Sequence, residues 1–405
     1  LPDAPTQTDP AVRALLWTTK VGIYLALFFG IGGAAFPAWV APLPRSARRF
    51  SAILVVAGLA ILPPAVTAQG LDALGAPFGD LLQGAIWHAG ISSPFGRTVL
   101  IAAAALAVAL ISLAVRGGTG RVLALLALAG TGLALAASGH ASAAEPQALM
   151  RSAVFVHAVS IAAWTGALFP LSVAVLGPNG AAALNRFSRR ILTIVAAILL
   201  SGLVLAVVQV QRFEALTTTE YGRVLLIKMA WVLALFALAA LNRYWLTNKV
   251  KANEASCVNI LRRLILGEVA LVLLVFGTAA LWRFTPPPRA LFMAAAQPAY
   301  VHIHTEKAMA EVTFTPGRVG SVAVSISLLN GDFDPLLAKE LRIGLSNPGA
   351  GIEPIERQAV RADDGTTWRV KDLAIPTAGR WTVELEVLIS DFEMLRLTET
   401  AEIKP

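Results

Sequence analysis

The sequence predicts an all-α polytopic membrane bundle of eight transmembrane helices, arranged as a 4+4 parallel repeat, followed by a C-terminal all-β sandwich domain. Three observations carry that expectation. Of 405 residues, 56% are hydrophobic and only 14% charged, a balance far from that of soluble globular chains. The apolar residues gather into eight long stretches. After the breaker Phe284-Thr285-Pro286-Pro287-Pro288, the texture changes to short alternating runs divided by turn signals.

The eight stretches cover roughly residues 12–40, 50–70, 98–115, 121–139, 151–176, 187–210, 222–246 and 261–284. Most hold about 18 or more apolar positions, enough for a helix to cross a hydrocarbon core of about 30 Å. The formal net charge of +8 would by itself suit nucleic acid, but its distribution marks topology instead. Arg45, Arg48 and Arg49 follow the first stretch, Arg116 and Arg121 the third, and Arg186, Arg189 and Arg190 the fifth. Arg243, Lys249, Lys251, Arg262 and Arg263 follow the seventh. The alternate loops are poorer in Lys and Arg and carry Asp72, Asp80, Glu145, Glu214 and Glu220. The positive-inside rule places the Arg-rich loops in the cytoplasm and both termini outside. Membrane lipid is the expected partner, not nucleic acid.

Residue 1 is Leu; an outside N-terminus has to be exported, so a signal peptide or an exported domain is expected before it. The single cysteine, Cys257, falls in an Arg-rich loop. That excludes a disulfide framework and a thiolate metal site.

Two domains follow, a membrane part over 1–290 and a β part over 297–405. In the second, runs such as Ser321-Val322-Ala323-Val324-Ser325-Ile326-Ser327 and Trp381-Thr382-Val383-Glu384-Leu385-Glu386-Val387 alternate in polarity. Pro316-Gly317, Asn330-Gly331, Asn347-Pro348-Gly349 and Asp364-Gly365 separate them. Short strands at this spacing predict a sandwich of about 100 residues, hanging outside the membrane.

The membrane part repeats itself. Gly33-Ala34-Ala35-Phe36-Pro37 resembles Gly166-Ala167-Leu168-Phe169-Pro170, and Arg49-Phe50-Ser51 resembles Arg186-Phe187-Ser188. Phe95-Gly96-Arg97 resembles Tyr221-Gly222-Arg223, each followed by Leu-Ile. The three matches occur in one order, and four spans per half give both halves the same orientation. His157 aligns with Tyr24, so its imidazole belongs to the second half alone. Pro63-Pro64 in the second stretch has no counterpart; removing two helix hydrogen bonds is expected to kink or end that helix. The mixed segment 71–94 then reads as an outer loop or short surface helix carrying His88.

Hydrophobic patterning places all five histidines on the outer side, and imidazole is the commonest protein metal ligand. His157 sits about seven residues inside the fifth stretch, roughly 10 Å deep, where an ionisable group usually faces a cavity or a partner; the bland alternative is a neutral histidine bonded between helices. His140 ends the fourth stretch, and a short loop through Glu145 and Met150 returns the chain to His157. A site shared by His140, His157 and Met150 is therefore expected, with His88 a weaker member or a plain surface residue. His302 and His304 lie two apart, so a strand points both rings to one face, a pair suited to copper or zinc.

Lys228, Tyr221, Trp164 and Glu214 are weaker candidates for a polar path or gate. Lys228 is expected to pair with Glu214 or Glu220, or to snorkel; Glu268 is expected to pair with Arg262 or Arg263. Trp164 reads more simply as helix packing. No G-x-x-x-x-G-K-[ST] phosphate loop is present, so no nucleotide is expected. An inside-negative potential contributes about 2.3 kcal/mol per charge per 100 mV to cation entry, which makes inward movement the unfuelled direction.

Taken together, Ser138-Gly139-His140-Ala141, His157 through Trp164-Thr165-Gly166-Ala167 and Leu168-Phe169-Pro170, Arg186-Phe187-Ser188, Tyr221-Gly222-Arg223 with Lys228, and Asn242-Arg243 carry a resemblance. Over roughly residues 12–285 the chain resembles the CopD family of bacterial copper-resistance membrane proteins and the related YcnJ-type copper importers. Ala167 departs from the family's usual W-x-G-G while keeping a small residue. The resemblance implies copper, as Cu(I) or Cu(II), handled at the bacterial inner membrane without enzymatic chemistry, and a periplasmic copper chaperone of CopC type as partner or upstream fusion. Two other classes stay open. Paired histidines also suit a haem-bearing electron carrier, and outer sites alone would serve a non-transporting copper sensor or chaperone.

Overall fold

The computed structural model describes residues 9–246, 255–305 and 307–404; Lys249 and Lys251 lie outside them. Asp9 opens the first helix: its carboxylate accepts the Ala11 amide at 2.8 Å, and Pro10 takes the first helical position. Both choices suit a helix start, where amides lack intrahelical partners. Helix α1 then runs Pro10–Trp39, through a π-helical segment at Leu25–Ile31.

Seven further long helices follow: α2 (Arg45–Leu74), α4 (Pro94–Ala114), α5 (Gly117–Ala136), α6 (Gln147–Ala174), α7 (Gly180–Val210), α8 (Glu220–Tyr244) and α9 (Ala255–Ala280). A short helix, α3 (Gly84–Ser92), precedes α4. Among the described residues eight helices are long and apolar enough to cross a membrane, as the hydropathy pattern predicts. Each helix starts a few residues before its apolar stretch, and all but α2 stop at or before the end of it.

Helices α1 and α6 are the central pair. The apolar windows of these two are 67% and 61% buried, against 17% for α7 and 6% for α8. In lipid, apolar area between helices gives little drive, and close contact through small residues takes over. That is the arrangement here: a Cβ on Gly32 would collide with the Ala162 carbonyl, and one on Gly166 with the Gly32 and Gly33 backbone. The GxxFP segments of the two halves therefore meet at their glycines. Aromatic contacts cross between the halves at their flanks, Phe50 of α2 on Phe169 of α6 (4.2 Å between centroids) and Phe187 of α7 on Trp39 of α1 (5.6 Å).

Pro63-Pro64 does not end α2. The helix continues through both prolines to Gly75, which caps it in the left-handed region at φ 62°. Ala65, Val66, Thr67, Ala68, Gly70 and Leu71 beyond the prolines are buried, and that packing outweighs two missing hydrogen bonds. Gly70 and Gly90 let α3 lie directly against α2, so His88 stands on a short helix, as expected.

Side-chain bonds tie the ends of the bundle together. At one end Arg283 meets Asp72, Trp282 reaches the start of α8, and the Phe78 amide donates to Asp9 at 3.0 Å. At the other, Arg190 of α7 donates to the Trp39 carbonyl and Arg243 to Ser188. Glu268, expected to pair with an arginine, instead accepts from Asn242; its depth in the helix pair leaves an amide, not a guanidinium, within reach.

Among its described residues, the unit from Arg289 onward holds nine antiparallel strands: β1 (Ala299–His304), β2 (Ala308–Thr315), β3 (Gly320–Asn330), β4 (Glu340–Asn347), β5 (Ile352–Gln358), β6 (Val360–Arg361), β7 (Thr367–Ile375), β8 (Gly379–Ser390) and β9 (Glu393–Ile403). They form two sheets, ordered β1-β2-β3-β7-β6 and β5-β4-β8-β9. The alternation read from the sequence sends Val322, Val324, Ile326, Trp381, Val383, Leu385 and Val387 into one shared core. Trp381 is fully buried there and its indole N–H donates to the Thr377 carbonyl at 3.0 Å, which satisfies the polar end of a large apolar group.

Candidate functional site

Helix α6 begins at Gln147, so His157 lies ten residues into it, about 15 Å along the axis. Its ring is half-buried against α7. Nδ1 stands 3.0 Å from Ser201 Oγ and 3.2 Å from the Ile198 carbonyl. A carbonyl only accepts, so Nδ1 carries the proton and Nε2 keeps the lone pair. Ser201 donates its own proton to the Ala197 carbonyl at 2.5 Å, which leaves its oxygen as a second acceptor for Nδ1–H. Gly202 makes room: a Cβ there would stand 3.1 Å from His157 Cε1.

His140 occupies the loop between α5 and α6 with an exposed side chain. Its carbonyl accepts from Gln209 Nε2 of α7 at 3.3 Å. Desolvation on its inner flank, then the positive charges of Arg283 and Lys20, hold the imidazole below its ordinary pKa of 6.5. His140 thus sits in electropositive company. Gln209 and Ser201 are eight residues apart on α7, about 12 Å along the axis; His140 and His157 meet that helix at different levels.

Met150 is fully buried in the first turns of α6, and His88 is exposed on α3. Among the described residues no group of three or more His, Cys, Asp or Glu stands ready to hold a metal ion.

Lys228 does not pair with Glu214 or Glu220. Its Nζ sits 4.5 Å over the Trp282 ring, which stacks on Tyr221 at 5.1 Å and 13°. Glu220 pairs instead with Arg223 at 2.6 Å, one helical turn away, and Glu214 lies exposed in the loop before α8. An aromatic face is what the bundle offers an ammonium at that level. Trp164 stacks on Phe236 at 5.4 Å and is buried, so helix packing accounts for it.

In the β unit, His302 and His304 do share one face of β1. Their rings are near-parallel, with centroids 6.5 Å apart. β1 is an edge strand, and the register sets His302 opposite Glu311, with Nδ1 to Oε1 at 4.0 Å. Glu311, Ser201 and Trp282 are the partners that sequence reasoning missed. Glu311 was accessible to it, since a hairpin closing between His304 and Ala308 fixes the register; Ser201 and Trp282 come from distant helices and left no local signal.

Residues 10–150 match the family described as Copper resistance protein D-like, N-terminal domain, and residues 181–282 match Copper resistance protein D. Together the two matches run through most of the helical bundle. Both models that match the chain describe copper resistance protein D or its N-terminal domain. It is also 24% identical over 278 residues to the copper transport protein CutJ of Bacillus subtilis (strain 168), which covers 66% of this chain and 50% of that protein. The chain therefore spans about half the length of the curated relative it matches. Within the CopD family matches lie His88, His140, Met150, Ser201, Tyr221, Lys228 and Trp282; His157 and Trp164 fall between them, and the β-unit pair beyond.

Proposed function

We propose that this chain receives copper on the periplasmic side of the bacterial inner membrane and passes it inward, with both chain ends periplasmic. The observation that carries the reading is the His157 ring. Its Nδ1–H is committed to a backbone carbonyl and a serine hydroxyl, the arrangement that fixes a metal-binding tautomer and raises the basicity of the other nitrogen. An imidazole so held inside a span is costly to keep for packing alone. The family matches supply the cargo, and the CutJ likeness supports transport over catalysis.

His302 and His304 act as the capture pair, completed by water or by the Glu311 carboxylate, and a periplasmic chaperone of CopC type delivers copper to them. His157 then takes the ion from the mouth of the bundle. Cations stand near both rings, Lys20 and Arg283 at His140 and Lys228 at His157, so His157 ranks first on its fixed Nδ1–H alone. The chain has five Met and a single Cys, so imidazole dominates the ligand set and admits Cu(II) as well as Cu(I).

Whole-cell copper accumulation, together with metal analysis of the purified protein, tests this. His157→Ala should abolish uptake, and His302→Ala should lower bound copper by about one ion per chain. Unchanged uptake in His157→Ala would leave a sensor or chaperone role. A Soret band in the purified protein would replace copper by haem.

A further inference from the structure

At the Arg-rich end of the bundle, the end that positive-inside reasoning assigns to the cytoplasm, lies an open cavity of about 180 Å³. Liquid water occupies about 30 Å³ per molecule, so this is room for a phosphate and part of a headgroup. Arg48, Arg116 and Arg121 line it, with Ser112, Gly117 and Gly120, and no carboxylate faces in. Among the described residues none of the three arginines forms a salt bridge.

The second half of the repeat behaves differently. There, Arg190 donates to the Trp39 carbonyl, and Arg243 donates to Ser188, with 2.8 Å to its hydroxyl. Those guanidiniums staple helices together. The three in the first half come from α2, α5 and the loop before α5, and line one hollow instead. Gathering three positive charges without a counter-ion is unfavourable, and the helix ends add to it. α2 begins at Arg45 behind Pro44 and α5 at Gly117 behind Arg116, neither with a side-chain cap, so the positive ends of two helix dipoles point to the same place. Beside the cavity, Ile111, Val122 and Leu125 are exposed apolar residues, a surface for acyl chains.

We propose that this cavity binds the phosphate of an anionic phospholipid headgroup. Guanidinium forks match phosphate oxygens in bidentate geometry, and basic pockets between helices on this side of a membrane suit such headgroups. The bound lipid seals the α1–α2–α4–α5 corner that the second half closes with its own arginines.

The test uses the full chain in nanodiscs of phosphatidylcholine with and without phosphatidylglycerol, read by native mass spectrometry and by titration of short-chain phosphatidylglycerol. The triple variant Arg48→Gln, Arg116→Gln, Arg121→Gln should weaken phosphatidylglycerol binding by more than about tenfold, given what basic residues contribute to anionic-lipid contacts. The control Arg189→Gln, Arg262→Gln, Arg263→Gln removes the same charge from the same end and should leave it unchanged. The loop variant Arg116→Gln alone, which leaves both helices intact, should weaken it severalfold and serves if the triple variant misfolds. Equal losses in both triple variants, or no loss in either the triple or the single cavity variant, would overturn the proposal. Arginine-dependent binding of inorganic phosphate without phosphatidylglycerol binding would overturn the lipid assignment.

Discussion

The serine at position 201 does more for the candidate site than its type suggests. It turns the His157 ring by accepting from Nδ1 while bonding its own helix, and so presents Nε2. Removing such a partner typically costs ten- to a hundredfold in metal affinity. Ser201→Ala keeps the Ile198 carbonyl as acceptor, so the expected loss of copper affinity is about tenfold, read by competition titration against a chelator. If His157→Ala abolishes binding while Ser201→Ala leaves affinity untouched, the ring is not held by this pair. At this scale the sequence showed the imidazole and its place within a span. It did not show the tautomer, because the groups that set it belong to another helix.

Among the elements, the glycine contact between α1 and α6 is the most exposed to test. A Cβ on Gly166 would press into the backbone of Gly32 and Gly33, and backbone does not yield as a side chain does. Gly166→Ala should therefore destabilise the bundle by about 1–3 kcal/mol, the usual scale of overpacking. Gly84→Ala, at a position open on all sides, should be neutral or slightly stabilising through helix propensity. Thermal melts of both variants in one detergent compare them directly; equal melting temperatures would remove the contact from its central place. The repeat of GxxFP was legible in the sequence, since small residues and a proline recur at one spacing. That the two copies pack on each other was not. That α2 does not end at Pro63-Pro64 was not legible for a related reason: local hydrogen-bond loss is visible along the chain, while the burial of Ala65, Val66, Ala68 and Leu71 that offsets it is not.

For the whole molecule, the two units draw stability from different sources. Helices in a bilayer close their backbone bonds within each segment, whereas the sandwich depends on a core closed between two sheets. Among the described residues, Trp381 is the largest fully buried side chain. Trp381→Ala should cost the sandwich about 3–5 kcal/mol, seen as faster amide exchange in β4, β8 and β9, while the helical far-UV signal persists. Loss of the helical signal as well would contradict that separation.

Hydropathy, the alternation of basic loops, the proline break and the period-two runs determined eight spans, their order and the sandwich after them. These are local properties, and a bilayer or a sheet forces a local answer from the chain because each backbone group must find a partner within reach. The partners of His157, Lys228 and Glu268, and the convergence of Arg48, Arg116 and Arg121 on one hollow, were decided only by tertiary structure. Each depends on residues brought together from separate strands or helices, and no spacing along a single element encodes which of them will meet.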